Sequence, residues 1–330
     1  MDGSQGCAAQ RVLITGAAGY IGISLSACLG ARGWDVTGLT RPGSTSPALS
    51  DGHTINVEAD IRDPDAWLKT AKGIDVIIHL AAQTSTYVAN DDPLADETAN
   101  VRPMIQLLET CRRQGWKPFI ALASTVTVVG LPVQLPVCED HIYQPVTTYD
   151  LHKWMAEEYL KMYCRLDYAR GTTLRLANVY GPGPRSSAAD RGVLNASIRK
   201  ALAGQPLMVY GSGESLRDYV YVDDVVNAFV AALEHQQSVN GRHWIVASGL
   251  GITILEAFQL VADRVARRTG LRVPVEHIDP PTDLSPIEKR RFVADVSAFS
   301  RATNWRPTVA LQDGIDETID AFMKESGTIR

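Results

Sequence analysis

Tyr149 and Lys153 are the two residues whose types and spacing most directly suggest chemistry. They stand four positions apart near the start of residues 147–161, a segment whose pattern is typical of an amphipathic helix. Because residues at i and i+4 share a helix face, the ammonium of Lys153 would lie near the phenol of Tyr149 and lower its pKa from about 10. The pair predicts a general acid or base that could interconvert an alcohol and a ketone. The same spacing also arises by chance on solvated helices, so the neighbouring motifs decide between the two interpretations.

A glycine-rich turn near the N-terminus is typical of dinucleotide binding. A β-prone run ends directly at Gly16, and Gly19 and Gly22 follow before an apolar helix. In that context the glycines allow a tight turn, a close approach of a pyrophosphate and close packing of helix on strand, while the helix N-terminus attracts phosphate. We therefore predict that Gly16, Gly19, Tyr20, Ile21 and Gly22 contact a dinucleotide. A plain turn is the alternative.

The end of the second predicted strand, residues 35–41, bears on which dinucleotide is bound. An NAD site usually places an acidic residue here to hold the ribose 2′-hydroxyl. The sequence instead has Thr40 followed by Arg41, and an arginine beside a hydroxyl suits a 2′-phosphate better. The prediction favours NADP over NAD, with a solvated loop arginine as the alternative.

Strands and helices alternate over the first 125 residues. Residues 75–82 and 117–123 are continuous apolar runs of the kind that buried parallel strands produce, and residues 93–114 are predicted to form one long helix between them. The alternation predicts an α/β fold, a doubly wound parallel sheet whose ligands lie at the carboxyl ends of the strands. Ser124 and Thr125 come at such an end, where their hydroxyls could face a substrate.

Length, charge and cysteine spacing narrow the classes of protein. The 330 residues carry a formal net charge of −5 without a basic run, which argues against a nucleic-acid partner. The five cysteines are far apart and the seven histidines form no ligand cluster, so we expect reduced thiols and no metal. No apolar stretch approaches the ~18 residues of a membrane span, and no signal pattern precedes the first strand. We expect a cytoplasmic protein without a membrane partner.

Further motifs stand in a fixed order along nearly the whole chain. In addition to the glycine turn and the Tyr-Lys pair, they are Asp60-Ile61, His79-Leu80-Ala81-Ala82, Asn100, Ser124-Thr125 and residues 174–182, 217–224, 294–297 and 304–307. In this order the sequence resembles the extended short-chain dehydrogenases/reductases, and within them the nucleotide-sugar epimerases and dehydratases, in particular the UDP-hexose 4-epimerases. The resemblance implies an NAD(P)-binding Rossmann fold with a smaller C-terminal substrate domain.

The resemblance also implies roles for individual residues. In the catalytic centre, Tyr149 would be the acid/base on a sugar hydroxyl, Lys153 would hold the nicotinamide ribose, Thr125 would bond the same sugar oxygen and Asn100 would lie behind them. The further cofactor contacts would be Asp60, Ile61, Leu80, Ala81 and Ala82. The substrate contacts would be Ser124, Asn178, Arg185, Arg217 and Glu288, with surface charge as the alternative for Arg185. The guanidinium of Arg217 suits a phosphate because its donors form a fork.

The two residues after Thr125 narrow the reaction. Dehydratases of this family have Asp-Glu after the active-site threonine and decarboxylases keep a glutamate there, whereas this chain has Val126-Thr127. We therefore expect no carboxylate at this position, and neither dehydration nor decarboxylation. Our first hypothesis is C4 epimerisation of a UDP-hexose through a 4-keto intermediate. The second, which Arg41 favours, is an NADPH-dependent 4-ketoreductase, and the third is a catalytically silent binding protein.

The composition changes to loops rich in glycine, proline and serine soon after residue 177. We predict a dinucleotide-binding domain over residues 1–177, with return segments at about residues 219–247, and an interleaved substrate domain over residues 178–330. The predicted helices over residues 93–114 and 149–165 resemble the pair with which this family forms a four-helix dimer interface. We therefore expect a homodimer.

Overall fold

The computed structural model describes residues 10–44, 54–184 and 192–325. The strands in these ranges are β1 (Arg11–Thr15), β2 (Asp35–Thr40), β3 (Thr54–Glu58), β4 (Val76–His79), β5 (Phe119–Thr125), β6 (Arg170–Leu176), β7 (Asn178–Tyr180), β8 (Leu207–Tyr210), β9 (Leu216–Tyr221), β10 (His243–Val246), β11 (Gly251–Thr253) and β12 (Val275–Ile278). The α-helices are α1 (Tyr20–Ala31), α2 (Pro64–Thr70), α3 (Thr86–Asp91), α4 (Pro93–Asn100), α5 (Arg102–Gln114), α6 (Thr148–Arg165), α7 (Val193–Leu202), α8 (Val222–Glu234), α9 (Gln236–Val239), α10 (Ile254–Thr269), α11 (Ser297–Thr303) and α12 (Leu311–Glu325).

The largest sheet in the described part of the chain has seven parallel strands in the order β10-β6-β5-β4-β1-β2-β3. The chain runs outward from β1 to β3, then crosses to β4 on the other side of β1. The direction of winding therefore changes between β1 and β4, where Thr15 lies opposite His79. In such a sheet the ligand crevice opens at the carboxyl ends of these two strands. The prediction of a doubly wound α/β sheet is confirmed.

Both faces of the central strands are buried, which explains their continuous apolar sequences. In β1, Val12 and Ile14 have no exposed surface and pack in one hydrophobic cluster, while Leu13 packs in another on the opposite face. All four residues of β4 are buried as well. Alternate side chains of a strand point to opposite faces, so a sheet covered on both sides needs apolar residues at every position.

The C-terminal part of the chain forms two smaller sheets and also returns to the large one. β11, β9 and β7 form a three-stranded sheet, and β12 pairs with β8. β10 lies at the edge of the large sheet beside β6, and α8 packs against α1. The boundary near residue 177 and the return over about residues 219–247 stay predictions, although residue 177 does fall between β6 and β7.

The long helix expected over residues 93–114 is two helices, α4 and α5, which meet at Val101. Pro103 lies in the first turn of α5. Proline has no backbone N–H, so it could not donate a hydrogen bond to the carbonyl of residue 99 in a continuous helix. The expectation of one unbroken helix is therefore wrong.

Among residues 10–44, 54–184 and 192–325, no helix is both long and apolar enough to cross a membrane. The same ranges contain no group of three or more His, Cys, Asp or Glu side chains that could hold a metal ion.

Candidate active site

The turn between β1 and α1, here called the cofactor turn (residues 15–22), has a shape that only glycine permits. Gly16 has a φ of +70°, and a Cβ on it would lie 2.9 Å from the backbone nitrogen of Ala81. A Cβ on Gly22 would lie 2.8 Å from the Cα of Ala17 and closer still to the carbonyl oxygen of Gly16. Gly19 caps the N-terminus of α1. Bare backbone at the start of a helix is the cradle that a pyrophosphate requires, so these residues fit a dinucleotide.

The end of β4 is held against the cofactor turn by Thr15. Its hydroxyl lies 2.9 Å from His79 Nδ1 and accepts a hydrogen bond of 3.1 Å from the backbone N–H of Ala81. The backbone N–H of Leu80 donates to the carbonyl of Thr15. Burial, with a smaller effect from the charge of Lys153, lowers the pKa of His79 to about 3, so its ring is neutral at physiological pH. Leu80, Ala81 and Ala82 thus border the crevice without adding charge.

Further predicted cofactor contacts, Thr40, Arg41, Asp60 and Ile61, lie around the ends of β2 and β3. Thr40 is buried and its hydroxyl donates to Asn56, while Arg41 is exposed. Asp60 forms an ion pair with Arg62, and the pKa of Asp60 is lowered chiefly by this hydrogen bond, with Arg41 among the weaker causes. The carbonyl of Ile61 accepts a hydrogen bond from Trp67. Arg41 is therefore a second exposed cation near Asp60, in addition to Arg62.

Helix α6 presents Tyr149 in its first turn and Lys153 one turn later. Thr147 caps the helix by accepting a hydrogen bond of 3.2 Å from the backbone N–H of Asp150. Tyr149 is partly buried, and Lys153 is only 4% exposed. Burial lowers the pKa of Lys153 to about 8, and the carboxylates of Glu157 and Asp96 oppose that shift. An ammonium in low-dielectric surroundings acts more strongly on a neighbouring phenol than it would in water.

Thr125 is connected to helix α6 through Thr127 and Asp150. The hydroxyl oxygens of Thr125 and Thr127 are 2.7 Å apart, and the hydroxyl of Thr127 donates to the carboxylate of Asp150. The two residues after Thr125 supply no carboxylate, but the fold brings the carboxylate of Asp150 from α6 onto Thr127. Its other oxygen accepts from Thr147 at 2.7 Å and the residue has no exposed surface. Asp150 can reach a substrate only through Thr127, so it does not replace the exposed carboxylates of dehydratases.

The side chains of Ser124 and Asn100, both predicted site residues, form hydrogen bonds within the protein. The hydroxyl of Ser124 donates to Glu157, which forms a buried ion pair with Arg175 at 2.6 Å. The amide of Asn100 both donates to and accepts from the backbone of Gln83, at 3.0 Å in each case. Asn100 thus positions the loop after β4, and contacts of Ser124 and Asn100 with a ligand stay predictions.

Asp96 joins the same loop to the catalytic helix. Its carboxylate accepts hydrogen bonds from Asn100 and Gln83, and it lies 2.7 Å from His152 Nδ1. His152 directly precedes Lys153 in α6. The side chain of Asp96 therefore fixes the loop after β4 relative to the turn of α6 that carries Lys153.

A second group of polar residues, here called the arginine cluster, consists of Asn178, Arg217, Glu288 and Arg290. The guanidinium of Arg217 donates to the backbone carbonyls of Arg290 and Glu288 at 2.6 and 2.7 Å. Arg290 donates to the side chain of Asn178 at 3.1 Å. Burial lowers the pKa of Arg290 to about 10, which leaves it cationic at neutral pH. Within the residues that the structure describes, its buried Nε has no hydrogen-bond partner, so a ligand oxygen could take that donor.

The cofactor turn and the C-terminal half are also linked by Tyr20. Its hydroxyl donates to the carbonyl of Gly181 at 2.8 Å and accepts from Asn195 at 3.3 Å. Ile21, the next residue, packs against the main hydrophobic cluster. Arg185, predicted to contact an anion, lies outside the described residues.

Asp150, Thr127, Asp96 and Arg290 were not predicted as site residues. The only signal available for Arg290 was its position within the resemblance. Asp150 and Thr127 carried none, because nothing in their spacing of 23 residues indicates that they form a hydrogen bond. Asp96 is four residues before Asn100, a spacing that any helix provides.

Comparison with known proteins identifies the family. The model of the NAD dependent epimerase/dehydratase family matches residues 12–247. The UDP-glucose 4-epimerase of Mycolicibacterium smegmatis is 34% identical over 322 residues, which are 96% of this chain and 99% of that protein. Among solved structures, UDP-glucose 4-epimerase of Thermotoga maritima with UDP-glucose has a TM-score of 0.86 at 28% identity, covering 96% of this chain and 100% of the other. The Thermus thermophilus UDP-glucose 4-epimerase in complex with NAD has a TM-score of 0.82 at 30% identity, covering 95% and 99%.

The fold and the site thus define a dinucleotide-binding enzyme of the short-chain dehydrogenase type. The chain belongs to the NAD dependent epimerase/dehydratase family.

Proposed function

We propose that the protein interconverts a UDP-hexose and its C4 epimer through a 4-keto intermediate. The observation that carries this proposal is the hydrogen-bonded link from Thr125 through Thr127 to Asp150, which joins the end of β5 to the first turn of α6. It connects the hydroxyl of Thr125 to Asp150, the residue that follows Tyr149 in α6. The near-full-length similarity to UDP-glucose 4-epimerases supports the choice of substrate class.

Each residue then has a chemical task. Tyr149 removes the proton from the sugar 4-hydroxyl during oxidation and returns a proton during reduction. Lys153 favours the phenolate of Tyr149 and would hold the nicotinamide ribose, while Thr125 holds the sugar oxygen. A bound nicotinamide dinucleotide supplies reversible hydride transfer. The arginine cluster would hold the diphosphate, so that the sugar can turn over between the two half-reactions while its anchor stays in place.

The test is to identify the cofactor released on denaturation and then to assay a panel of nucleotide sugars. We expect bound oxidised cofactor, and interconversion of UDP-glucose and UDP-galactose, or of their N-acetyl forms, without added nucleotide. Tyr149→Phe should lower kcat by about 10²- to 10⁴-fold, the usual range for loss of an acid–base group. Full activity of this variant would exclude the mechanism.

A 4-ketoreductase using NADPH is the second candidate, and the exposed Arg41 near Asp60 favours it. We propose on the same ground that the protein accepts NADP. Arg41→Ala should weaken NADP binding by about 10-fold, the effect of one charge-assisted hydrogen bond, and leave NAD binding unchanged. Arg32→Ala, at an exposed arginine on the far end of α1, is the matched control. Turnover only with stoichiometric NADPH oxidation would establish the reductase instead.

We also propose a homodimer formed through α5 and α6. The outward face of α6 carries an apolar stripe at helical spacing, Leu151, Met155, Tyr159, Met162 and Leu166, and Leu166 is 54% exposed. Met162→Glu should give a monomer by light scattering, whereas Leu250→Glu, at an exposed leucine elsewhere, should not. A cytoplasmic location is likewise a proposal, which cell fractionation would test.

A further inference from the structure

Three side chains extend from the hydroxyl of Thr125 in a continuous series of hydrogen bonds. Thr125 and Thr127 are joined by their hydroxyls at 2.7 Å, Thr127 donates to one oxygen of Asp150, and Thr147 donates to the other at 2.7 Å. Asp150 and Thr147 are buried, and Asp150 directly follows Tyr149. These hydrogen bonds therefore lead from the hydroxyl of Thr125, which would hold the sugar oxygen, to the carboxylate of Asp150, which has no contact with bulk water.

The number of protons fixes the direction of these bonds. A hydroxyl has one proton, and that of Thr127 is donated to ionised Asp150, so Thr125 must donate its own proton to Thr127. Thr125 also accepts the backbone N–H of Thr127 at 3.1 Å. Its remaining lone pair can only accept a hydrogen bond. With Asp150 ionised, Thr125 is therefore an acceptor toward the hydroxyl of a sugar.

We propose that Thr127 and Asp150 are a proton relay for Thr125, with Asp150 as a second proton acceptor beside Tyr149. This inference rests on the proposed function and adds residues to it. On this route the hydride would leave C4 with its electron pair for the oxidised nicotinamide that the proposed function requires, and the single proton of the sugar hydroxyl passes to Thr125 instead of to Tyr149. The proton of Thr125 passes to Thr127, and that of Thr127 passes to Asp150. The alcohol becomes a ketone, and the carboxylate becomes a neutral carboxylic acid.

The reverse direction follows from the same bonds. Protonated Asp150 donates to Thr127, Thr127 donates to Thr125, and Thr125 then donates to the ketone oxygen. That bond stabilises the negative charge which develops on this oxygen when hydride returns. Through the relay, Thr125 thus accepts a hydrogen bond from the alcohol and donates one to the ketone. Only hydrogen atoms have to move between these two states.

The surroundings of Asp150 suit reversible protonation. Burial raises the pKa of its carboxyl, and the hydrogen bonds from Thr127 and Thr147 act against that rise. The charged side chains that act on it are Arg290, which lowers the pKa, and Glu288, which raises it. Both belong to the arginine cluster, so a bound diphosphate would partly neutralise Arg290 and make Asp150 a better proton acceptor.

The kinetic test uses Thr127→Val, Asp150→Asn and the double variant, with Thr127→Ser as the conservative control. Because Tyr149 remains, we expect each single variant to lower kcat by about 10-fold, less than loss of a primary acid–base group, with KM changed by less than about threefold. Thr127→Ser keeps the hydroxyl and should retain wild-type kcat. The double variant should be no slower than the slower single variant, because both substitutions interrupt one pathway. Unchanged kcat, or fully multiplicative losses, would overturn the relay.

The pH dependence separates a relay from a purely structural role. Asp150 must be ionised to accept a proton, so the acid limb of the kcat–pH profile should move in Asp150→Asn and in Thr127→Val. A residue that only caps α6 would lower kcat equally at every pH. An acid limb that is identical in the wild type and both variants would contradict the proposal.

A second measurement does not depend on the substrate. The folded-state pKa of Asp150 is raised from 3.8, so this group favours folding below that pH, and the contribution is lost as the pH rises through the folded-state pKa. The wild type should therefore lose stability relative to Asp150→Asn as the pH rises. We expect the melting temperature of the variant minus that of the wild type to increase from pH 3.5 to pH 7, roughly the range in which a carboxyl with a raised pKa titrates. A difference that is constant with pH would refute the relay even if no nucleotide sugar were turned over, whereas failure of the sugar panel alone would refute the proposed function.

Discussion

The cofactor turn and the arginine cluster are both binding regions, yet they are built in opposite ways. The cofactor turn lies within eight consecutive residues, 15–22, and its essential feature is the absence of side chains at Gly16 and Gly22. The arginine cluster draws its members from residues as far apart as Asn178 and Arg290, 112 positions along the chain, and depends on long side chains. The cofactor turn is defined by the shape of its backbone, and the arginine cluster by the positions of its charged side chains.

This difference predicts how substitutions in each region affect ligand binding. A backbone cradle cannot adjust to an added atom, because its neighbours are themselves backbone atoms of the cofactor turn and of the loop after β4. A side-chain cluster can lose one donor and keep its shape, since Arg217 and Arg290 are held by separate carbonyl groups. Substitutions in the first region should therefore abolish binding, and those in the second should weaken it by degrees.

The largest effect is expected from Gly22→Ala. The added Cβ would lie 2.8 Å from the Cα and the carbonyl oxygen of Ala17, both of which are backbone atoms of the cofactor turn. We expect a loss of unfolding free energy at the upper end of the roughly 1–3 kcal/mol that overpacking costs, and no cofactor in the purified protein. Gly192→Ala, where the nearest atom would be 3.5 Å away, is the control and should retain cofactor. Cofactor content follows from mass analysis after denaturation.

Lys153→Met should separate catalysis from stability. Kcat should fall by about 10²-fold or more, because the phenolate of Tyr149 loses its stabilising charge. Stability should be equal or higher below pH 8, because a buried ammonium with a pKa lowered from 10.5 to about 8 disfavours folding there. Above pH 8 the wild type gains stability as its lysine deprotonates in the folded state, so the advantage of the variant should shrink toward pH 10.5. The measurement is thermal unfolding of both proteins between pH 6 and 10. A variant that is less stable than the wild type over this whole range would contradict the expected pH dependence.

Arg290→Met tests the graded behaviour of the arginine cluster. Loss of a charge-assisted hydrogen bond costs about 1.5–3 kcal/mol, so KM for the nucleotide sugar should rise by about 10-fold or more. The cofactor should stay bound, since the cofactor turn is untouched. Lys289→Met, at the exposed neighbouring residue, is the matched control and should leave KM unchanged. Loss of bound cofactor in Arg290→Met would show that the two regions are not independent.

Tyr20→Phe should have the smallest effect and measures the coupling of the two halves. The substitution removes the hydrogen bond of 2.8 Å to Gly181 and keeps the ring. We expect a loss of about 0.5–1.5 kcal/mol in denaturant unfolding, and less than about a threefold change in KM. Tyr210→Phe, at a tyrosine that is 51% exposed, provides the baseline. A much larger change in both cofactor content and KM would mean that this bond sets the distance between the halves.

Much of the fold was predictable because the responsible forces act locally. The apolar runs of β1 and β4 indicate strands that are buried on both faces, and the spacing of the glycines indicates a turn without side chains. The division between α4 and α5 could also have been predicted from Pro103, whose missing N–H is a property of the sequence. The Tyr149–Lys153 spacing holds within α6, as any i, i+4 pair in a helix does.

The partners of the site residues were not predictable in the same way. Ser124 was predicted at the end of a strand and Asn100 on a helix behind the site, but their side chains bond Glu157 and Gln83, which approach from other elements. The arginine cluster likewise exists only because β7, β9 and the segment after β12 meet in space. Side-chain hydrogen bonds are set by distances between elements, and those distances depend on how the whole core packs.

The sequence by itself determined the parallel sheet, the dinucleotide turn and the helix that presents Tyr149 and Lys153, because each depends on neighbouring residues and on the periodicity of burial. It also showed that the two residues after Thr125 carry no carboxylate. Only the tertiary structure showed that a carboxylate lies behind Thr127, since the fold brings Asp150 from α6 onto Thr127 after β5. A hydrogen bond between residues 23 positions apart leaves no pattern in the chain, and it exists because β5 and α6 pack together at the edge of the crevice.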